Sequence, residues 1–336
     1  MTNWNYDAIH FVPRELSKVP TRDRCDEAVE AFGKKFSMPL VAAPMDRVCN
    51  GEMALALARL NMLGIIHCKQ SIEAQVSELE KVSSNYTSAC AIGVSKDYKE
   101  RFLALLKAGC RIFCLDTANG FNIQTEKTYK DLYHTFPYHT YERVYFIGGN
   151  VASKEGYAYL SELLFDAVRV GISGGSVCTT KTETGVYAPT LFSVNECAEW
   201  REWRKKGGSK SCALIIADGG IKKPEDMEKA LVLGADLVMA GYIFAGCDEA
   251  PGDIEYDANG VGYKTYRGSA SFATQFETTG QRPKYVEGME MKVKATGTVA
   301  DLVDRYQAGL RSSMSYHNSL NLKEYREKAK KSLLFV

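Results

Sequence analysis

The sequence carries almost no surplus charge of either sign. Its 42 Lys and Arg face 41 Asp and Glu over 336 residues, a net charge of +1. That balance excludes broad electrostatic binding to nucleic acid or to an anionic membrane surface. No apolar run is long enough to span a bilayer. The start, Met1 to Asp7, lacks the basic-then-apolar order of a signal peptide. Histidines number only five and do not cluster, and the ten cysteines, scattered from Cys25 to Cys247, include no CxxC pair. Structural zinc and a disulfide framework are therefore not expected, and free thiols in a reducing, cytoplasmic setting are. There is no internal repeat, low-complexity tract or flexible linker. Residues 1–336 are expected to form one domain.

What is present is alternation. Short apolar runs at Leu40–Ala43, Gly64–His67, Ala89–Gly93, Arg111–Asp116, Val144–Gly148, Ala167–Gly171, Ala213–Ala217 and Leu237–Gly241 read as eight strands. Amphipathic stretches lie between them, among them Ser71–Val82, Lys99–Leu106, Asn122–Phe136 and Pro224–Leu233. The last has Pro at its first helical position and Gly234 just past its end. Continuous β-branched strands alternating with helices imply a parallel sheet covered on both faces. Eight such units predict an α/β fold of the closed (β/α)8 TIM-barrel type. After the eighth strand, Cys247–Glu290 shows no clear periodicity and is expected to be a flap or lid over residues 247–290. A helix over Val299–Leu310 follows.

A barrel places its chemistry on the loops at the carboxyl ends of its strands. The strongest such segment is Arg169-Val-Gly-Ile-Ser-Gly-Gly-Ser-Val-Cys-Thr-Thr180. Its small residues let backbone amides approach an anion, and the Ser176 hydroxyl adds a donor. Cys178, two residues further on, puts a thiol beside that cradle, and Thr180 can relay its proton. A lone cytosolic cysteine is more often a small buried hydrophobe; the adjacent cradle inverts that expectation. Asp218-Gly219-Gly220 is a second candidate cradle, with a tight Asp-capped turn as the plain alternative. Asp116 ends the fourth strand and can hold a ribose, or simply cap a helix. Glu287 can orient a base or merely be solvated. His67, Arg22 and Lys69 carry weaker signals.

The chain resembles the IMP dehydrogenase/GMP reductase family from about Leu40 to Arg311. The resemblance rests on Ala43-Pro-Met-Asp46, Asp116-Thr-Ala-Asn-Gly120, Gly148-Gly-Asn-Val151, Gly174-Gly-Ser-Val-Cys-Thr-Thr180, Ala217-Asp-Gly-Gly220, Tyr266-Arg-Gly268, Glu287-Gly288 and Gly309-Leu-Arg-Ser312. It implies that Cys178 forms a thioimidate with C2 of a purine nucleotide, with Thr180 and Glu287 as its catalytic partners. It further implies that Met45, Ser176, Asp218, Gly219, Gly220, Gly241, Tyr242, Tyr266, Gly268, Ser269 and Gly288 bind GMP or IMP. Thr21, Arg22, Lys69, Asp116, Thr117 and Ala118 would line an NADPH site, with Ser312 and Ser315 reaching it from a neighbouring subunit of a homotetramer. Carbonyls of Ser173, Gly175 and Cys178 would hold a monovalent cation, K+.

Within the family the chain looks like GMP reductase. Ser71–Ser88 leaves room for one helix between strands two and three, where dehydrogenases insert regulatory domains. Only 18 residues separate Gly268 from Glu287, and no adjacent Arg-Tyr pair occurs among them. Arg282-Pro-Lys-Tyr285 is the nearest equivalent. There are departures: Ser173-Gly174 replaces the reductase's Gly-Pro, Arg169 is a dehydrogenase-like residue, Tyr242 replaces a small residue at the phosphate and Cys68 replaces a lysine. A minimal IMP dehydrogenase using NAD is the alternative within the family. From other classes, a non-catalytic nucleotide-binding barrel has no use for Cys178 and Thr180, and a phosphosugar isomerase-type barrel would lean on Asp116 with Asp218.

Overall fold

The computed structural model describes residues 3–82, 85–94, 97–135, 143–209 and 212–336. Eight parallel strands close into a barrel: β1 (Leu40–Ala42), β2 (Leu63–Ile66), β3 (Ala89–Ile92), β4 (Ile112–Leu115), β5 (Tyr145–Val151), β6 (Ala167–Val170), β7 (Leu214–Asp218) and β8 (Leu237–Ala240). Closure is made by β8 on β1, with Val238 opposite Leu40. Each strand is buried almost throughout because alternate side chains enter two different cores. Val41, Leu63, Ile65, Ala89, Ile112, Ile147, Ile216 and Met239 fill the barrel's interior. Their neighbours, among them Leu40, Cys90, Phe113, Val168, Ile215 and Val238, pack outward against the helices.

One end of the barrel is plugged. A hairpin, Val29–Ala31 with Lys34–Phe36, turns through Phe32 and Gly33, both at positive φ. It drives Phe32 and Phe36 into the interior core, Phe32 lying 5.8 Å edge-on from Tyr145 at the start of β5. The carboxyl ends of the strands are left to form a site.

The expected helices appear at Ile72–Glu80, Tyr98–Lys107, Ile123–Thr135 and Pro224–Val232. Phe136, the last residue of one expected helix, lies outside the described residues. The segment between β2 and β3 contains a single helix among its described residues. The helix expected after the flap runs over Val299–Tyr316, longer than expected, because Ser312, Ser313 and Ser315 do not interrupt it. The two chain ends pair as antiparallel strands, Ile9–Phe11 with Leu333–Phe335. No helix among the described residues is long and apolar enough to cross a membrane, and the ten cysteines are all free thiols.

The region after β8, where the sequence shows no clear periodicity, has regular structure. It forms a three-stranded antiparallel sheet, β9 (Glu255–Tyr256), β10 (Gly262–Arg267) and β11 (Glu290–Lys294), with a helix at Phe272–Thr279. Lys264 and Arg267 are both buried within β10, so its sequence carries charge where a half-buried strand would show apolar residues. The Lys264 ammonium donates to the carbonyls of Cys247 and Asp248 at 3.0 and 3.2 Å, and also to that of Ala250.

Candidate active site

Loop 171–180 follows β6 and lies directly on the loop that follows β7. A Cβ on Gly171 (φ +142°) would fall 2.0 Å from the Asp218 carbonyl oxygen. A Cβ on Gly174 would fall 2.4 Å from Thr190 Oγ1. Glycine is required at Gly171, where the backbones touch, and at Gly174 a side chain would collide with the Thr190 hydroxyl. Beyond this contact the loop is stitched to residues 287–289: Thr179 N–H donates to the Glu287 carbonyl at 3.1 Å, and Met289 N–H to the Val177 carbonyl at 2.9 Å. These bonds bring Cys178 and Glu287 together although 109 positions of chain separate them.

Their side chains complete a chain of hydrogen bonds. Cys178 Sγ donates to Thr180 Oγ1 at 3.2 Å, and Thr180 Oγ1 donates to Glu287 Oε2 at 2.7 Å. A thiol, a hydroxyl and a carboxylate in that order can carry a proton in either direction. Cys178 is half-buried and faces the cavity. By contrast, burial pushes the thiols of Cys114 and Cys247 up to about 12, which makes them inert near neutral pH.

A second cluster sits deeper. Arg169 on β6 donates to Asp116 Oδ1 at 2.6 Å and to Asp218 Oδ2 at 2.8 and 3.1 Å. Asn150 Nδ2 adds a bond to the same Asp218 oxygen at 2.8 Å. Burial opposes the guanidinium charge, but Asp218, Cys114 and Asp116 outweigh it and hold the Arg169 pKa well above its ordinary value. One cation thus spans the ends of β4 and β7. Asp116 is thus held by Arg169 and not spent on a helix cap, the plain alternative considered for it.

The two clusters border one cavity of about 480 Å³, the size of a small-ligand pocket. Most residues singled out in the sequence line it: Cys178, Thr180 and Glu287; Met45, Ser176, Asp218, Gly219 and Gly220; Gly241, Tyr242, Tyr266, Gly268 and Ser269; Lys69, Asp116, Thr117 and Ala118; and Ser173 with Gly175. Gly288 is not in the lining but is bridged to Cys178 through its backbone. Thr21, Arg22, Ser312 and Ser315 are elsewhere. Arg22 Nη1 meets Ser312 Oγ at 3.3 Å on the outside of the barrel, and Ser315 offers its carbonyl to Ser17 Oγ at 2.6 Å. Asn150, Arg169, Gln275 and Tyr285 also line the cavity, and the sequence had given them no role. Arg282, exposed, does not.

Residues 3–334 match the family described as "IMP dehydrogenase / GMP reductase domain". The chain belongs to that family. It is an oxidoreductase family of purine nucleotide metabolism, whose members use nicotinamide dinucleotides. The chain is 33% identical to a GMP reductase of Chromobacterium violaceum over 330 residues, 97% of this chain and 96% of that protein. It is 32% identical to a GMP reductase of Onchocerca volvulus, over 88% of this chain and 80% of that one. With an inosine-5'-monophosphate dehydrogenase of Aquifex aeolicus it shares 38% identity over 248 residues, 71% of this chain but 48% of the relative. The chain therefore spans about half of that dehydrogenase.

Proposed function

We propose that this family member is a GMP reductase, converting GMP to IMP and ammonia with NADPH. The observation that carries the reading is the Cys178–Thr180–Glu287 chain, with bonds of 3.2 and 2.7 Å. Cys178 Sγ adds to C2 of the guanine base as its proton passes through Thr180 to Glu287. Glu287 returns a proton through Thr180 to the departing 2-amino group, the C2–N bond breaks, and a thioimidate remains. NADPH, when bound, supplies a hydride to C2. The C2–S bond then breaks, IMP leaves, and a proton from solvent restores the thiol.

Asp218, Gly219, Gly220, Gly241 and Ser176 would hold the nucleotide's ribose and phosphate, and Glu287 its base. Lys69, Asp116, Thr117 and Ala118 would hold the dinucleotide across the barrel mouth. The Arg169 bridge supports that division, because it holds Asp116 at the end of β4 and Asp218 at the end of β7 in fixed positions at the cavity. Carbonyls of Ser173, Gly175 and Cys178 suit a K+ ion, which takes neutral oxygen donors. Thr190 Oγ1, buried beside Gly174 and without a hydrogen-bond partner among the described residues, is a further polar atom next to that loop. A cytoplasmic homotetramer, in which Arg22, Ser312 and Ser315 serve a neighbour's cofactor, completes the reading.

IMP dehydrogenation is the second reading, favoured by Arg169 and by the 38% identity to a dehydrogenase. Against it, Arg282 is exposed and outside the cavity, so no arginine of the flap stands ready to activate water. An isomerase-type site finds no free carboxylate pair, since Asp116 and Asp218 both engage Arg169. One sample tested with GMP plus NADPH and with IMP plus NAD separates the readings. Oxidation of NADPH with release of ammonia is expected; NADH formation from IMP alone would reverse the assignment.

A further inference from the structure

The polar N-terminal segment reaches the cavity from outside the barrel. Tyr6 Oη donates to the Gly219 carbonyl at 3.1 Å. Its ring lies against the next residue, where a Cβ on Gly220 would fall 2.6 Å from Tyr6 Cε2. Tyr6 is itself anchored. The buried ammonium of Lys229, on the helix Pro224–Val232, donates to the Tyr6 carbonyl at 2.7 Å. Two residues on, the Ala8 carbonyl accepts from Val336 N–H at 3.0 Å, at the edge of the terminal strand pair. The phenol keeps its proton, because burial and then the nearby Asp226 and Asp218 push its pKa well above the ordinary value. Tyr6 is therefore a donor at any working pH.

The Gly219–Gly220 peptide is trans, and in a trans peptide the carbonyl and the following N–H point in opposite directions. Holding the Gly219 carbonyl toward Tyr6 aims the Gly220 N–H the other way, away from the phenol, and both glycines line the cavity. Among the described residues that amide has no acceptor. Both glycines sit at positive φ, +100° and +87°, and lack side chains to restrict them. Left alone, this peptide would be free to rotate. Gly219 also packs on the cysteine loop, where its Cβ would stand 3.1 Å from Gly174 C and Gly175 N. The peptide's orientation thus bears on both loops that close around a bound anion.

We infer that Tyr6 is a positioning residue for the substrate's phosphate: its hydroxyl orients the Gly219–Gly220 peptide so that the Gly220 amide donates to a phosphate oxygen. This rests on the reading of the cavity as a nucleoside monophosphate site. Tyr6 touches no reacting atom, so it should act on affinity for the phosphorylated ligand and not on the chemical step. It makes the N-terminal segment, remote from the barrel mouth in sequence, part of the substrate site.

The test is titration calorimetry of GMP and of guanosine against wild-type protein and Tyr6→Phe, which keeps the ring on Gly220 and removes only the hydroxyl. GMP binding should weaken about tenfold, the scale of one misaligned charge-assisted hydrogen bond. Guanosine binding, the thermal melt and kcat at saturating GMP should stay close to wild type. Equal weakening of GMP and guanosine would reduce Tyr6 to general packing and overturn the inference. So would GMP binding unchanged in Tyr6→Phe. Wild-type protein that binds neither GMP nor IMP would overturn the substrate reading, and this inference with it.

Discussion

At the scale of single residues, the account turns on three atoms in a row. Cys178→Ala should abolish turnover while GMP binding, measured by calorimetry, stays near wild type; appreciable residual turnover would remove covalent catalysis. Glu287→Gln keeps the shape and one acceptor toward Thr180 but loses the basic oxygen. It should cut GMP reduction by ~10²–10⁴, the usual worth of a positioned acid or base, with modest change in GMP affinity. Arg282→Ala should leave reduction nearly unchanged, because the side chain is exposed and away from the cavity. If that variant instead gives a burst of NADH from IMP and then stalls, the adduct forms and fails to hydrolyse, and the protein is a dehydrogenase. The sequence made Cys178, Thr180 and Glu287 legible because short motifs carry them. It marked Arg169 only as a dehydrogenase-like residue, without its ion pairs, and left Tyr6 unmarked. A charge inside the strand β6 and a tyrosine in a polar segment acquire meaning only once Asp116, Asp218 and Gly219 are seen around them.

At the scale of elements, the strands and helices of the barrel were readable because burial on both faces leaves a continuous apolar signature. The sheet over the site was not, since β10 hides Lys264 against carbonyls and Arg267 against Asp46 and Glu277. That ion cluster ties the helix Phe272–Thr279 to the loop after β1. The helix Pro224–Val232 carries a different device. Glu228, buried beside Gly309 of the helix Val299–Tyr316, is pushed up to about 7 by desolvation; Ser313 and Lys229 pull it down less, and Glu225 adds to the rise. A carboxyl whose folded pKa is raised favours the fold fully below its unfolded value, ordinarily 4.5, and loses that contribution as pH climbs through about 7. Thermal melts should therefore show this contribution declining between pH 4.5 and about 7. Glu228→Gln should flatten that part of the profile. An identical pH profile in the variant would assign the slope to other groups.

At the scale of the whole molecule, the closed barrel and its plugged end leave the carboxyl-terminal mouth as the place for a ligand, and the architecture was predictable from eight repeated strand–helix units. What one chain does not bring to the cavity is the Arg22–Ser312 pair. In the proposed tetramer this pair serves a neighbour, so Ser312→Ala should raise the KM for NADPH several-fold without altering that for GMP. Sedimentation should show a tetramer in the active sample, and a fully active monomer would remove the shared site. The chemistry is narrower than assembly: the 2-amino group departs to leave the thioimidate, and hydride then enters C2. The most direct measurement uses GMP with NADPH deuterated at the transferred position of its nicotinamide C4, followed by mass spectrometry of the product. A GMP reductase will yield IMP carrying deuterium at C2, with one ammonia released per NADPH oxidised. No reaction with GMP, together with reduction of NAD by IMP, would contradict that assignment.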